Sequence, residues 1–131
     1  MIRLFLVSAA ICGVASLAVA DATEPHVVAR QQDMKTIGGG VKVLGDMAKG
    51  TVAFDAAKAQ AAVEAIHAGA AEIPALFETE ADDPESEAKP AIWQNWDDFT
   101  TKAKALETAT AGLTIATAQD LGPAMGQIGV W

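Results

Sequence analysis

The sequence predicts an all-α protein, an up-down-up-down four-helix bundle with an incomplete fourth helix. Three observations predict it. Apolar residues recur three and four apart in four separate segments, the spacing that lines one face of a helix. No segment alternates apolar and polar residues at period two, so no strand is expected. Of the three connections, two are short and one is long, and short connections set consecutive helices side by side and antiparallel.

Residues 1–20 read as a secretory signal peptide. Arg3 precedes an apolar run from Leu4 to about Leu17, which closes in Ala18-Val19-Ala20 before Asp21. The run falls short of the roughly 20 apolar residues of a membrane span. Cleavage after Ala20 is therefore expected, with a periplasmic location and no stable membrane anchor. Ile11 does not suit a lipoprotein site at Cys12, so Cys12 leaves with the leader. Residues 21–131 form one domain and contain no cysteine, which rules out a disulfide there. Loss of Arg3 leaves 8 basic against 17 acidic side chains, a net charge of −9. Nucleic acid is excluded as a partner, because phosphates need basic clusters. The acidity suits a basic partner protein without naming one.

The first helix is expected over about Glu24 to Lys49, with Val27, Arg30, Met34, Ile37, Val41, Leu44 and Ala48 as its inward seam and Gly50 as its stop. Asp55 is placed to cap the second, whose seam is Ala59, Val63, Ile66, Ala70 and Ile73, with Pro74 forcing the end and Phe77 following in phase. The stretch "ETEADDPESEAKP" reads as a long exposed connection. A third helix starts near Pro90, carries Ile92, Trp96, Phe99, Ala103, Leu106 and Leu113, and fades near Ala118. Asp120 is placed to cap a fourth, with Leu121, Met125 and Ile128 inward. About twelve residues at 1.5 Å each make it only ~18 Å long, which leaves apolar seam on its neighbours uncovered.

Two features of the first helix call for an explanation. Arg30 sits in an apolar row, where an unpaired guanidinium is costly; it needs an anionic partner or a place at the rim of the bundle. Gly38, Gly39 and Gly40 cost about 1 kcal/mol each relative to Ala in mid-helix. The heptad phase runs through them, so one continuous helix is expected, with the glycines admitting a close neighbour.

Three stretches together resemble the cytochrome c′ family, the class II c-type cytochromes. They are "VVARQQDMKTIGGG", "IPALFETEADDPESEAKPAIW" with Phe99 following, and "AQDLGPAMGQIGVW". The resemblance covers nearly all of residues 21–131, and no single motif carries it. It implies a haem c cofactor, held by C-x-x-C-H in a continuing fourth helix. The sequence ends one residue before the first cysteine is expected, so the chain is expected to be truncated there. Leu121, Met125 and Ile128 step four and three, so the next inward positions are 132 and 135, where the two cysteines of a motif starting after Trp131 fall.

Residue by residue, Arg30 resembles the arginine near the haem propionates. Gln31 resembles its neighbour at the haem edge. Met34 resembles the residue that crowds the distal iron face without ligating. Ser86 and Glu87 resemble a loop pair at the haem edge. Phe77, Trp93 and Phe99 match family aromatics whose plainer role is core packing. His26 and His67 match no family ligand, and neither is expected to bind metal.

The resemblance implies electron transfer, or binding of a small diatomic gas such as NO at five-coordinate iron. It also implies a homodimer through the first two helices and a redox partner protein. A haem-free helical interaction module is the alternative. Nothing marks an enzyme: there is no nucleophile–base pair, and the glycine run lacks the strand-turn-helix context of a phosphate loop.

Overall fold

The computed structural model describes residues 20–129. The expected signal peptide, apart from Ala20, lies outside the described residues, as do Val130 and Trp131. The described residues are helical and contain no strand. Helix α1 spans Pro25–Ala48, α2 spans Ala56–Phe77, a short α3 spans Ala91–Gln94, α4 spans Trp96–Thr110, and α5 spans Leu121–Ile128 after a 3-10 turn at Ala118–Asp120. Helix α1 packs on α2, α2 on α4, and α5 closes the ring against α1 and α4.

Contacts fix the directions. Arg30 meets Leu76, and Gly40 lies against Ala62 and Ile66, so α2 runs antiparallel to α1. His67 meets Thr110 while Phe77 meets Phe99, so α4 runs antiparallel to α2. The main core gathers Leu44, Met47, Ala59, Val63, Ile66, Ile115, Leu121, Ala124 and Ile128, and a second cluster centres on Ile73, Phe77 and Ala103.

Helix α1 is continuous through its three glycines, but only one of them serves packing. A Cβ on Gly40 would lie 2.7 Å from Ile66 Cγ1 and 2.9 Å from the Ala62 carbonyl oxygen, whereas one on Gly38 or Gly39 would meet nothing within 4 Å. Gly69 on α2 is the counterpart: its Cβ would fall 2.5 Å from Ile37 Cγ1 and 2.9 Å from Asp33 Oδ1. The two helices thus approach closely through one glycine on each.

Several expectations are corrected. The buried row of α1 contains Val27, Arg30, Gly40, Leu44 and Met47; Met34 is 39% exposed and Ala48 is exposed. Asp33 and Ile37, not Met34, take the places against Gly69. Pro74 does not end α2, which continues to Phe77. Tertiary partners hold that last turn, Arg30 Nε donating to the Leu76 carbonyl and Trp93 Nε1 to the Phe77 carbonyl.

The expected third helix is broken at Asn95 (φ −126°, ψ 48°), whose backbone N–H and side-chain amide both donate to the Ala91 carbonyl. It ends at Thr110, with Gly112 at φ +70° just beyond. Leu113 and Ile115 belong to the following connection, which Gln60 ties down by accepting from Ile115 N and donating to the Leu113 carbonyl. The Asp120 side chain does not cap α5. It accepts from the backbone N–H groups of Ala116 and Thr117 and from the Thr117 hydroxyl, closing the turn ahead of the helix. The caps at Asp55 and Gly50 stand as expected: Asp55 accepts from Lys58 N, and Gly50 takes φ +73°.

Candidate functional site

A cavity of about 470 Å³ opens between the N-terminal half of α1, Phe77 at the end of α2, and the connection to α3. Six of the eight residues that the resemblance singles out line it: Arg30, Gln31 and Met34 from α1, Phe77 from α2, and Ser86 and Glu87 from the connection. Spacing brings the first three together, since residues three and four apart share a helix face.

Arg30 is 3% exposed. Its Nε donates to the Leu76 carbonyl at 3.0 Å and its Nη2 to the Thr79 carbonyl, so the guanidinium meets the carbonyl-rich end of α2, where a cation is favoured. The partners are thus main-chain oxygens, neither bulk water nor a carboxylate. The guanidinium carbon also lies over the Phe77 ring (5.0 Å) and the Trp93 ring (5.3 Å). The remaining nitrogen, Nη1, is buried without a hydrogen-bond partner. Burial pulls the guanidinium below its ordinary pKa and Glu24 opposes the shift; it stays a cation throughout the working range.

Gln31 Nε2 donates to the Glu85 carbonyl at 2.8 Å, which ties the connection across the cavity to α1. Asp83 does more, and sequence reasoning passed it over in a segment taken as exposed. It is 7% exposed. One carboxylate oxygen accepts from the backbone N–H groups of Thr23 and Glu24 and the other from Glu85 N. These donors, Glu85 first, hold its pKa below the ordinary carboxylate value. The Asp-Pro pair at 83–84 was the available signal, since Asp before a turn accepts from the N–H two residues on. Ser86 is fixed by its own backbone, its N–H donating to the Asp83 carbonyl and its hydroxyl accepting from Ala88 N.

Trp93 and Phe99 stand behind the cavity wall. Phe99 packs on Phe77 with ring centroids 5.1 Å apart and on Trp96 at 5.7 Å. Neither histidine reaches the cavity. His26 is exposed in the first turn of α1, and His67 is half-buried between α2 and α4. Among the described residues, no three metal-ligating side chains converge and no helix is long and apolar enough to cross a membrane. The cavity can therefore take a ligand with an apolar face against Val27, Met34 and Phe77 and an anionic group within reach of Arg30.

The model of the family described as Cytochrome C′ matches residues 26–130. A cytochrome c-556 of Agrobacterium fabrum is 42% identical over 83 residues, which are 63% of this chain and 56% of the relative. A cytochrome c-556 of Agrobacterium tumefaciens (strain II Chrys) is 40% identical over 81 residues, 62% of this chain and 66% of the relative. The chain thus spans between half and two thirds of the length of these curated relatives. Among solved structures, a cytochrome c′ from Rhodobacter Spheriodes superposes with a TM-score of 0.69 at 32% identity, covering 81% of this chain and 87% of that one. The matched region takes in all the helices from the first turn of α1 through α5, so it is by its whole bundle that the chain belongs to the cytochrome c′ family.

Proposed function

We propose that the chain is the helical body of a periplasmic haem-binding electron-transfer protein, and that the cavity beside Arg30 receives the edge of haem c. The observation that carries this reading is the buried Nη1 of Arg30, a cationic donor without a partner at a cavity that also presents the apolar side chains of Val27, Met34 and Phe77. A carboxylate there would gain a charge-assisted hydrogen bond. Val27, Met34, Phe77 and Ala88 suit a flat apolar group. Asp21, Glu85 and Glu87 also line the cavity and oppose an anion that does not reach Arg30.

Haem, when bound, supplies a reversible one-electron iron centre. The work of the chain's own residues is to orient and to exclude water. Arg30 would hold a propionate, Phe77 and Val27 would keep water from the ring, and Gln31 would hold the connection in place through Glu85. The described residues bring no thiol and no imidazole to the cavity, so neither thioether attachment nor iron ligation is assigned to them. Met34 at the cavity would crowd the iron face, which favours a small gas such as NO over larger ligands. Exposed Val28 and Val43 on α1 suit a homodimer through the first two helices.

The test is titration of the chain with haem and with its dimethyl ester, followed by Soret absorbance. Wild type should prefer the free acid, and Arg30→Ala should remove the preference. No Soret change with either porphyrin would defeat the reading and leave the haem-free interaction module standing. Export is tested by mass spectrometry: a mature chain beginning at Asp21 is expected, and retention of Met1 in a membrane fraction would refute it.

A further inference from the structure

A second cleft, of about 280 Å³, lies on the opposite contact of α2, where it meets α4 and the connection after it. His67 and Glu64 both line it. They stand three residues apart on α2 and so share a face. The surroundings of His67 fix its tautomer. Its Nδ1 lies 3.0 Å from the Glu107 carbonyl oxygen and 3.1 Å from Thr110 Oγ1. The carbonyl can only accept. The Thr110 hydroxyl has carbonyl acceptors for its one hydrogen at Leu106 (2.9 Å) and Glu107 (3.0 Å), which leaves its oxygen able to accept from His67. Both neighbours of Nδ1 are acceptors, and the ring proton of neutral His67 therefore sits on Nδ1. Nε2 keeps a bare lone pair, and His67 makes no other hydrogen bond among the described residues. Glu64 is exposed and enters no ion pair among the described residues.

The geometry points to a divalent transition-metal site in this cleft, with His67 Nε2 and the Glu64 carboxylate as its two protein ligands and water completing the shell. An imidazole whose other N–H is held by a main-chain carbonyl is the arrangement found behind metal-bound histidines, where it fixes the ring and raises its basicity. One imidazole and one carboxylate suit Zn²⁺, Ni²⁺ and Cu²⁺, with copper bound most tightly, and do not suit Mg²⁺ or Ca²⁺, which take oxygen ligands. The spacing Glu-x-x-His is the one by which helix bundles present a carboxylate and an imidazole to a single metal. The cleft mixes the polar side chains of Gln60, Glu64, His67 and Thr114 with Val63 and Leu113, lies far from Arg30 along the sequence and on a different pair of helices, and does not depend on the haem reading.

Calorimetric titration of the whole chain with zinc chloride in a non-coordinating buffer tests it, with circular dichroism of each variant as the control for folding. One zinc per chain is expected, accompanied by a rise in melting temperature that grows with free zinc. His67→Asn keeps an N–H donor near the Glu107 carbonyl and removes Nε2; it should abolish binding. Glu64→Gln lies on an exposed position and should weaken binding by more than the roughly tenfold that loss of an outer partner costs. His26→Gln should change nothing. With Cu²⁺, the electron paramagnetic resonance spectrum should show coupling to a single imidazole nitrogen. Absence of zinc binding, binding unchanged by both His67→Asn and Glu64→Gln, or binding lost in His26→Gln would each overturn the proposal.

Discussion

The Nε–H of Arg30 on α1 donates to the carbonyl of Leu76 in the last turn of α2, 46 residues away, at 3.0 Å. Nη2 reaches on to the Thr79 carbonyl, so one side chain closes the end of α2 on α1. Arg30→Ala removes both bonds to the Leu76 and Thr79 carbonyls. Hydrogen bonds to charged groups contribute about 1.5–3 kcal/mol each, and denaturant unfolding of the haem-free variant should show a loss of about 3 kcal/mol. Arg30→Lys should recover only part, because one ammonium lacks the fork that serves two acceptors. Arginine here serves the fold before any ligand arrives. A specific role towards haem must therefore appear as lost affinity beyond this common destabilisation.

The glycines of α1 should separate cleanly. Gly38→Ala and Gly39→Ala meet open space and should each stabilise the chain by about 1 kcal/mol, the helix-propensity difference. Gly40→Ala would press on the Ala62 carbonyl, which cannot swing away, and should destabilise by about 1–3 kcal/mol. Gly69→Ala should destabilise too, through Ile37 and Asp33. Melting temperatures of the four single variants decide it; equal effects at positions 38 and 40 would contradict the packing.

Two aspartates should respond to acid in opposite senses. Asp83 has a depressed pKa because three backbone N–H groups favour its charged form. The stability it contributes is present above the ordinary carboxylate value and is lost as pH falls through its lower folded value. Asp83→Asn should therefore lower the melting temperature at neutral pH, with little difference from wild type in strong acid. Asp33 is pushed up, first by burial and then by Glu72, and its Oδ2 is buried without a partner. Its charge opposes folding above its raised folded value, and the penalty disappears as pH falls through that value towards 3.8. Asp33→Asn should raise the melting temperature at neutral pH and gain nothing in acid. A pH series of melting curves for both variants checks the two signs together.

The helices and most of the cavity were legible because period and spacing are local. Arg30, Gln31 and Met34 lie within one and a half turns, and the caps at Asp55 and Gly50 are short-range chemistry. What was missed depends on partners distant in sequence. Gly69 carries no signal until Ile37 is opposite it. Asp83 looks like one more acid in an acidic stretch until Thr23 and Glu24 turn their N–H groups on it. Pro74 argues locally for an end to α2, and that end is deferred because Arg30 and Trp93 hold the carbonyls of the following turn. At Asn95 the apolar phase reads through while the backbone leaves the helical region, and its backbone and side-chain amides close together on the Ala91 carbonyl.

Produced on their own, residues 21–131 should bind haem without a covalent bond. Thioether bonds need thiols, and the one cysteine in the sequence, Cys12, lies ahead of the expected cleavage after Ala20. The chain produced with haem-attachment machinery present, and then treated with acidic acetone, should release all its haem to the organic phase. Appending C-x-x-C-H after Trp131 should retain haem with the protein under the same treatment. Helical phase supports that placement, since Leu121 and Ile128 are both buried and stand seven residues apart. The appended chain should also unfold at higher temperature, because a group bound only by the folded state stabilises it. Arg30→Ala in that background should reduce this added stability while leaving the covalent bond intact, which separates the anion contact from the attachment. Haem that resists extraction from the unmodified chain, or an appended motif that gains neither haem nor stability, would show that the bundle does not present this end of α5 to a porphyrin.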